Sequence, residues 1–164
     1  MEKVYFTFVT KLVVVLSAFM VGCQGQLANR SYRSQSELTI EALDACEAVF
    51  WKLLDQMAPK FEPCYLVLLG EDPSDEFLKR FGNKYEHVKK VSQIQYYPDG
   101  DPYRVVGVKL DISKVSRLDE HTFHITAGYY IRPEGAGGAT YIVQRFAYGG
   151  KWVIVGQKGL TWRT

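Results

Sequence analysis

The sequence has no apolar run long enough to cross a bilayer as a helix. The longest, Leu12 to Val21 (LVVVLSAFMV), spans ten residues, against the roughly 20 that a span requires. It also has little net charge. A formal +2 and a pI near 8.4 give no basic stripe of the kind that holds nucleic acid, so no nucleic-acid partner is expected. Nucleophile motifs are missing: there is no Gly-x-Ser-x-Gly elbow and no Ser-x-x-Lys. The glycine-rich stretch from Arg132 to Ala139 is not followed by Gly-Lys-Ser/Thr and so does not match a phosphate-binding loop. No cofactor is expected. Histidine is scarce, at His87, His121 and His124. On a strand, positions three apart point to opposite faces, so His121 and His124 do not share an ion and no metal site is expected. Cysteine is as scarce, at Cys23, Cys46 and Cys64.

What is present begins with the leader. Lys3 and Lys11 supply positive charge, the apolar run follows, and Gly22 and Cys23 close it. This is the layout of a secretion signal. Met20-Val21-Gly22-Cys23 resembles the bacterial lipobox: an aliphatic residue, a variable one, a small one, then the cysteine that receives lipid. The resemblance implies a signal peptide over residues 1–22, lipidation (palmitate included) at Cys23, and an anchor and tether over 23–33. The alternative is ordinary cleavage after Gly25 with secretion and no lipid. Gln24, rather than Asp, follows the cysteine. For lipoproteins of that kind this implies the outer membrane where the host is Gram-negative.

Export leaves Cys46 and Cys64 as an even pair in an oxidising compartment such as the periplasm. A bridge between them would close a loop of about 18 residues and contribute roughly 3 kcal/mol in the chain-entropy account. Two buried free thiols are the alternative; the expectation is the disulfide.

Residues 34–164 read as a single domain; 47% hydrophobic and 23% charged residues fit a globular chain. Ser34-Gln35-Ser36-Glu37 fits a capping box. Apolar residues at Leu38, Ala42, Leu43, Cys46, Val49, Phe50, Leu53, Leu54 and Met57 then fall three and four apart, predicting one apolar helical face, with Pro59 as the stop. Cys64 to Leu69 reads as a buried strand. Asp72 and Pro73 predict the cap and first turn of a second, short helix. From Val91 the period becomes two. Five strands are predicted, over 92–97, 103–112, 121–131, 140–148 and 152–162, with Arg132 to Ala139 as a flexible hairpin tip. The fold class is α+β: two helices on a curved antiparallel sheet of about five to six strands.

Asp72 to Leu78 (DPSDEFL), Gly128-Tyr129-Tyr130 and Gly150-Lys151-Trp152-Val153-Ile154 with Trp162 resemble a group of small, uncharacterised secreted bacterial proteins. The resemblance covers roughly residues 64 to 164 and implies a terminal antiparallel sheet without any assigned activity. The element order also resembles the cone-shaped superfold typified by nuclear transport factor two, in which a pocket opens between helix and sheet. That is likeness of fold, which carries no function.

Three functions are compatible with this reading. The first is an envelope-anchored, non-enzymatic binding or accessory module, its partners the membrane through lipid and a protein or small-molecule ligand. The second is a pocket enzyme of the cone-shaped fold. Thr122, His124, Thr126, Gly128 and Tyr130 share one face of a strand, so His124 could act as acid or base beside Tyr130, with Asp111 as partner if its strand is adjacent. The third is an inhibitor or immunity-type protein using Arg132 to Ala139 or the turn between Tyr96 and Tyr103. Tyr96, Tyr97, Tyr103 and Tyr130 are the candidate binding aromatics, since Tyr gives contact area at low entropy cost.

Overall fold

The computed structural model describes residues 30–98, 105–131, 135–146 and 149–163. Its main helix, α1 (Ile40–Met57), carries the expected stripe: Ala42, Ala45, Cys46, Val49, Phe50, Leu53, Leu54 and Met57 are buried. The helix begins later than the capping-box reading placed it. Thr39 is the cap, its hydroxyl accepting from the Ala42 amide at 3.2 Å. Ser34 opens only a single 3-10 turn, Gln35–Glu37, and makes no side-chain cap. Glu37 does reach back, but to the amide of Arg33. A β-branched Thr with extended backbone satisfies a helical donor that Ser34 is too far away to meet.

The sheet has seven strands in the order β3-β2-β4-β5-β6-β7, with β1 paired to β4 off that path. They are β1 (Arg30–Tyr32), β2 (Cys64–Leu68), β3 (Val88–Lys90), β4 (Val108–Arg117), β5 (Thr122–Ile131), β6 (Gly135–Gln144) and β7 (Val153–Arg163). The fold class is α+β with one main helix. The sheet is mixed, which corrects the antiparallel expectation: β2 runs parallel to both β3 and β4, while β4 to β7 form an antiparallel meander. Parallel pairing needs a crossover, and the stretch holding the short helix α2 (Asp75–Lys79) supplies it between β2 and β3. Ser74, not Asp72, caps α2; the Asp72 carboxylate instead accepts from the amide of Ser92.

Other boundaries differ as well, and β4 runs Val108–Arg117 where a strand over 103–112 was expected. Arg30–Tyr32 is part of the domain rather than tether, because Tyr32 is buried against the Phe123 ring. Ser92 to Tyr97 is no sheet strand: a 3-10 turn over Val91–Gln93 leads to one isolated bridge, Tyr96 to Val105. Gly135 to Ala139 is strand, paired with Ile131 to Ala127, so the described glycine-rich segment is ladder and not hairpin tip.

One face of the sheet meets α1. Leu66, Leu68, Leu110, Ile112, Val115, Phe123, Ile125 and Val143 are fully buried there with the helix stripe, each burial favouring the fold by about 1.5–3 kcal/mol. Phe77 and Phe81 pack edge-on against Phe50 at 6.0 and 6.1 Å, tying α2 to the same core. Buried Arg117, at the end of β4, holds the start of α1 through Glu41 at 2.9 Å.

Cys46 and Cys64 lie in this core as free thiols, which corrects the expected disulfide. Cys64 Sγ donates to the Phe61 carbonyl at 3.4 Å. Burial pushes the Cys46 thiol far up and that of Cys64 up to about 12, so the thiolate that oxidation requires is suppressed.

Candidate functional site

The other face of the sheet is built differently. It alternates with the core face along each strand, and at β2 it is closed by chain rather than by a helix. Tyr65 is fully buried, and its hydroxyl accepts from the Gln95 amide at 3.1 Å. The Val106 amide donates to the Gln95 carbonyl. The segment from Val91 to Tyr96 is thereby fixed over the edge of the sheet as a wall.

Beside that wall the strands leave an open groove of about 870 Å³, within the size range of small-molecule sites, roughly 300–1,000 Å³. Val91, Ile94, Tyr96 and Val105 line one side. β4 contributes Lys109, Asp111 and Ser113; β5 contributes Thr126, Gly128 and Tyr130; β6 and β7 add Gly138, Thr140 and Lys158. The register explains why these meet. Asp111 stands opposite Gly128, which stands opposite Gly138; Lys109 stands opposite Tyr130; Thr126 stands opposite Thr140, and Thr140 opposite Lys158.

The floor of the groove has no side chains at its centre. A Cβ at Gly128 would lie 2.4 Å from the carbonyl oxygen of Gly137, and one at Gly138 would lie 2.9 Å from that of Ala127. Only glycine allows these two strands to approach as they do.

Bulges gather at the same place. β4 gains an extra residue between Ile112 and Lys114, and β7 gains one opposite the step from Gly138 to Thr140. Gly159, inside the second bulge, has φ +65. Ser113 and Gly159 both line the groove. Bulges bend strands and re-aim side chains, and they recur beside functional sites.

The polar groups are of two kinds. The Thr126 and Thr140 hydroxyls bond each other at 2.9 Å. Asp111 has one carboxylate oxygen, Oδ2, 3.7 Å from Lys109 Nζ, while Oδ1 is buried without a hydrogen-bond partner. Burial raises the Asp111 carboxyl above its ordinary range, against the pull of Lys109. A partly desolvated carboxylate with spare acceptor capacity favours a ligand that brings donors.

The groove brings together Asp111, Thr126, Tyr96 and Tyr130 from the sequence-predicted residues. It does not include His124, which pairs with Ser116 and Ile142 on the same face, half-buried. The strand of Asp111 does neighbour that of His124, as the acid–base reading required. Even so, His124 is four positions from Gly128, about 13 Å along the strand. Tyr97 is exposed and outside the lining. Tyr103 and Cys23 lie outside the described residues. Lys109, Ser113, Thr140 and Lys158 were not anticipated. The alternation of Lys109 and Asp111 with Val108, Leu110 and Ile112 carried a signal for the first; the bulge that exposes Ser113 carried none.

A second, smaller cavity of about 190 Å³ lies between α1 and the sheet, lined by Leu53, Gln56, Tyr129 and Tyr141 among others. The larger opening is therefore on the face away from the helix, unlike the helix-side pocket that the cone-shaped resemblance implied. Among the described residues no helix is long and apolar enough to cross a membrane. The chain matches no family model, no curated protein and no solved structure.

Proposed function

We propose that the chain is an envelope-anchored lipoprotein, held by lipid on Cys23, whose domain is a non-enzymatic binding module with its ligand seat in the outer groove. One observation carries the second half of this reading. The glycine pair and two of the sheet's bulges converge on one opening, and polar side chains from four strands converge with them. A sheet built only to cover a helix has no need of such features on its far side. The leader motif supports the first half, and the sheet's bends at its bulges fit the curved form expected from the sequence. The protein's partners are then the membrane, through lipid, and a ligand met in the envelope.

Two measurements test it. Cys23→Ser should release the chain from the membrane fraction and abolish labelling by a fatty-acid probe; unchanged fractionation and labelling would refute the anchor. For the seat, saturation-transfer NMR with a small-molecule fragment library should give hits that Thr126→Trp, which fills the groove, removes. Hits indifferent to Thr126→Trp place binding elsewhere and refute the groove.

A further inference from the structure

We infer that the groove binds a short neutral saccharide, seated on the glycine floor between Tyr96 and Tyr130 and hydrogen-bonded through Asp111, Thr126 and Thr140. This inference rests on the groove being the ligand seat. It follows from asking which chemistry the lining can satisfy and which it penalises.

An apolar ligand is penalised. Seating one would seal Lys109 and Asp111, already only about a third exposed, away from water with a single 3.7 Å contact between them. Charges buried without hydrogen bonds are strongly penalised. An anionic ligand would meet Lys158, exposed on β7, but also the Asp111 carboxylate, toward which Lys109 is already turned. A peptide added as an extra strand finds no unpaired edge, since β4, β5 and β6 are each paired on both sides along the floor.

A sugar ring meets each of these conditions. Its hydroxyls donate to a carboxylate and exchange hydrogen bonds with the Thr126 and Thr140 hydroxyls, which otherwise satisfy only each other. Its C–H face packs against aromatic rings, which Tyr96 and Tyr130 place at the sides of the groove. Its bulk needs a floor without side chains, and Gly128 and Gly138 provide one. The volume of about 870 Å³ exceeds a single hexose ring, which points to an oligosaccharide rather than a monosaccharide.

The test uses the full lipidated chain in nanodiscs and saturation-transfer NMR with tetra-N-acetylchitotetraose and maltotetraose. At least one should receive saturation, strongest at the ring C–H protons that meet the tyrosines. Its affinity should fall about tenfold, roughly 1.4 kcal/mol, in Tyr130→Ala and again in Asp111→Asn, with circular dichroism unchanged in both. Three results would overturn the inference: no transfer to either sugar at low-millimolar concentration, transfer unaffected by both substitutions in folded protein, or groove-dependent fragment hits consisting only of apolar or anionic molecules. The last sinks the saccharide and leaves the groove as seat. Absence of any groove-dependent hit sinks both.

Discussion

The two faces of this sheet share the same strands and differ in what the alternate residues do. On the helix side Phe123, Ile125 and Ala127 are buried with Leu110 and Ile112 against the α1 stripe. On the other side Thr126, Gly128 and Tyr130 meet Lys109 and Asp111 across an opening. The first face gains stability from every side chain it carries. The second gives up side chains at Gly128 and Gly138 and regular pairing at the bulges. The second face thus trades packing for an opening, the feature on which the proposed ligand seat rests.

Substitutions can break that distinction or sharpen it. The largest effect is expected from the covered face: Phe50→Ala removes a fully buried ring shared with Phe77 and Phe81 and should cost about 3–5 kcal/mol in urea denaturation, while leaving any groove-dependent binding in the surviving folded fraction. Gly128→Ala tests the open face. Its new methyl must displace the Gly137 carbonyl, so a loss of about 1–3 kcal/mol is expected, together with loss of ligand signal. A neutral outcome in both would mean that the floor is not as tight as its geometry. Thr39→Ala should destabilise by about 1 kcal/mol through the lost cap, whereas Ser34→Ala should be near zero; equal losses would return the helix start to Ser34.

The smallest effect concerns Asp111. Its folded carboxyl is raised by burial, so the native state binds more protons than the unfolded state between the ordinary carboxylate pKa, about 3.9, and the raised value. Stability contributed by this group is therefore present at low pH and lost as pH rises through that window. Asp111→Asn should remove the decline, making the variant slightly more stable than the parent above the window and no more stable below it. Thermal melts of both from pH 3 to pH 7 check the sign; a parent that gains on the variant as pH rises would show the carboxylate to be stabilised instead.

The covered face was the legible one. The stripe from Ala42 to Met57 and the run CYLVL obey periods that burial enforces, and the structure keeps both almost residue for residue. The open face was not, and particular residues show why. Gly135 to Ala139 reads as a turn because glycine usually marks one, yet here glycine serves close approach between strands, a requirement that arises only when the partner strand is in place. Val88–Lys90 is three residues of half-buried strand, too short for any period. Ser92 to Tyr97 has the alternation of a strand, but the Tyr65 hydroxyl and the Asp72 carboxylate draw its amides into a wall. Tyr130 and Asp111 were identifiable as candidates because each lies on the polar side of an alternating strand; their meeting depended on the register of β4 with β5, which a bulge shifts.

The bulges of β7 have a consequence beyond the groove. Among the described residues this strand of eleven has a neighbour on one side only, β6, and Val153 and Val155 are exposed on it. A long, regular border invites another molecule to zip onto it. Two extra residues, opposite the Gly138–Thr140 and Ile142–Val143 steps, spoil the repeat that such zipping needs. The irregularity that helps shape the groove also makes this border a poorer template for pairing with another strand.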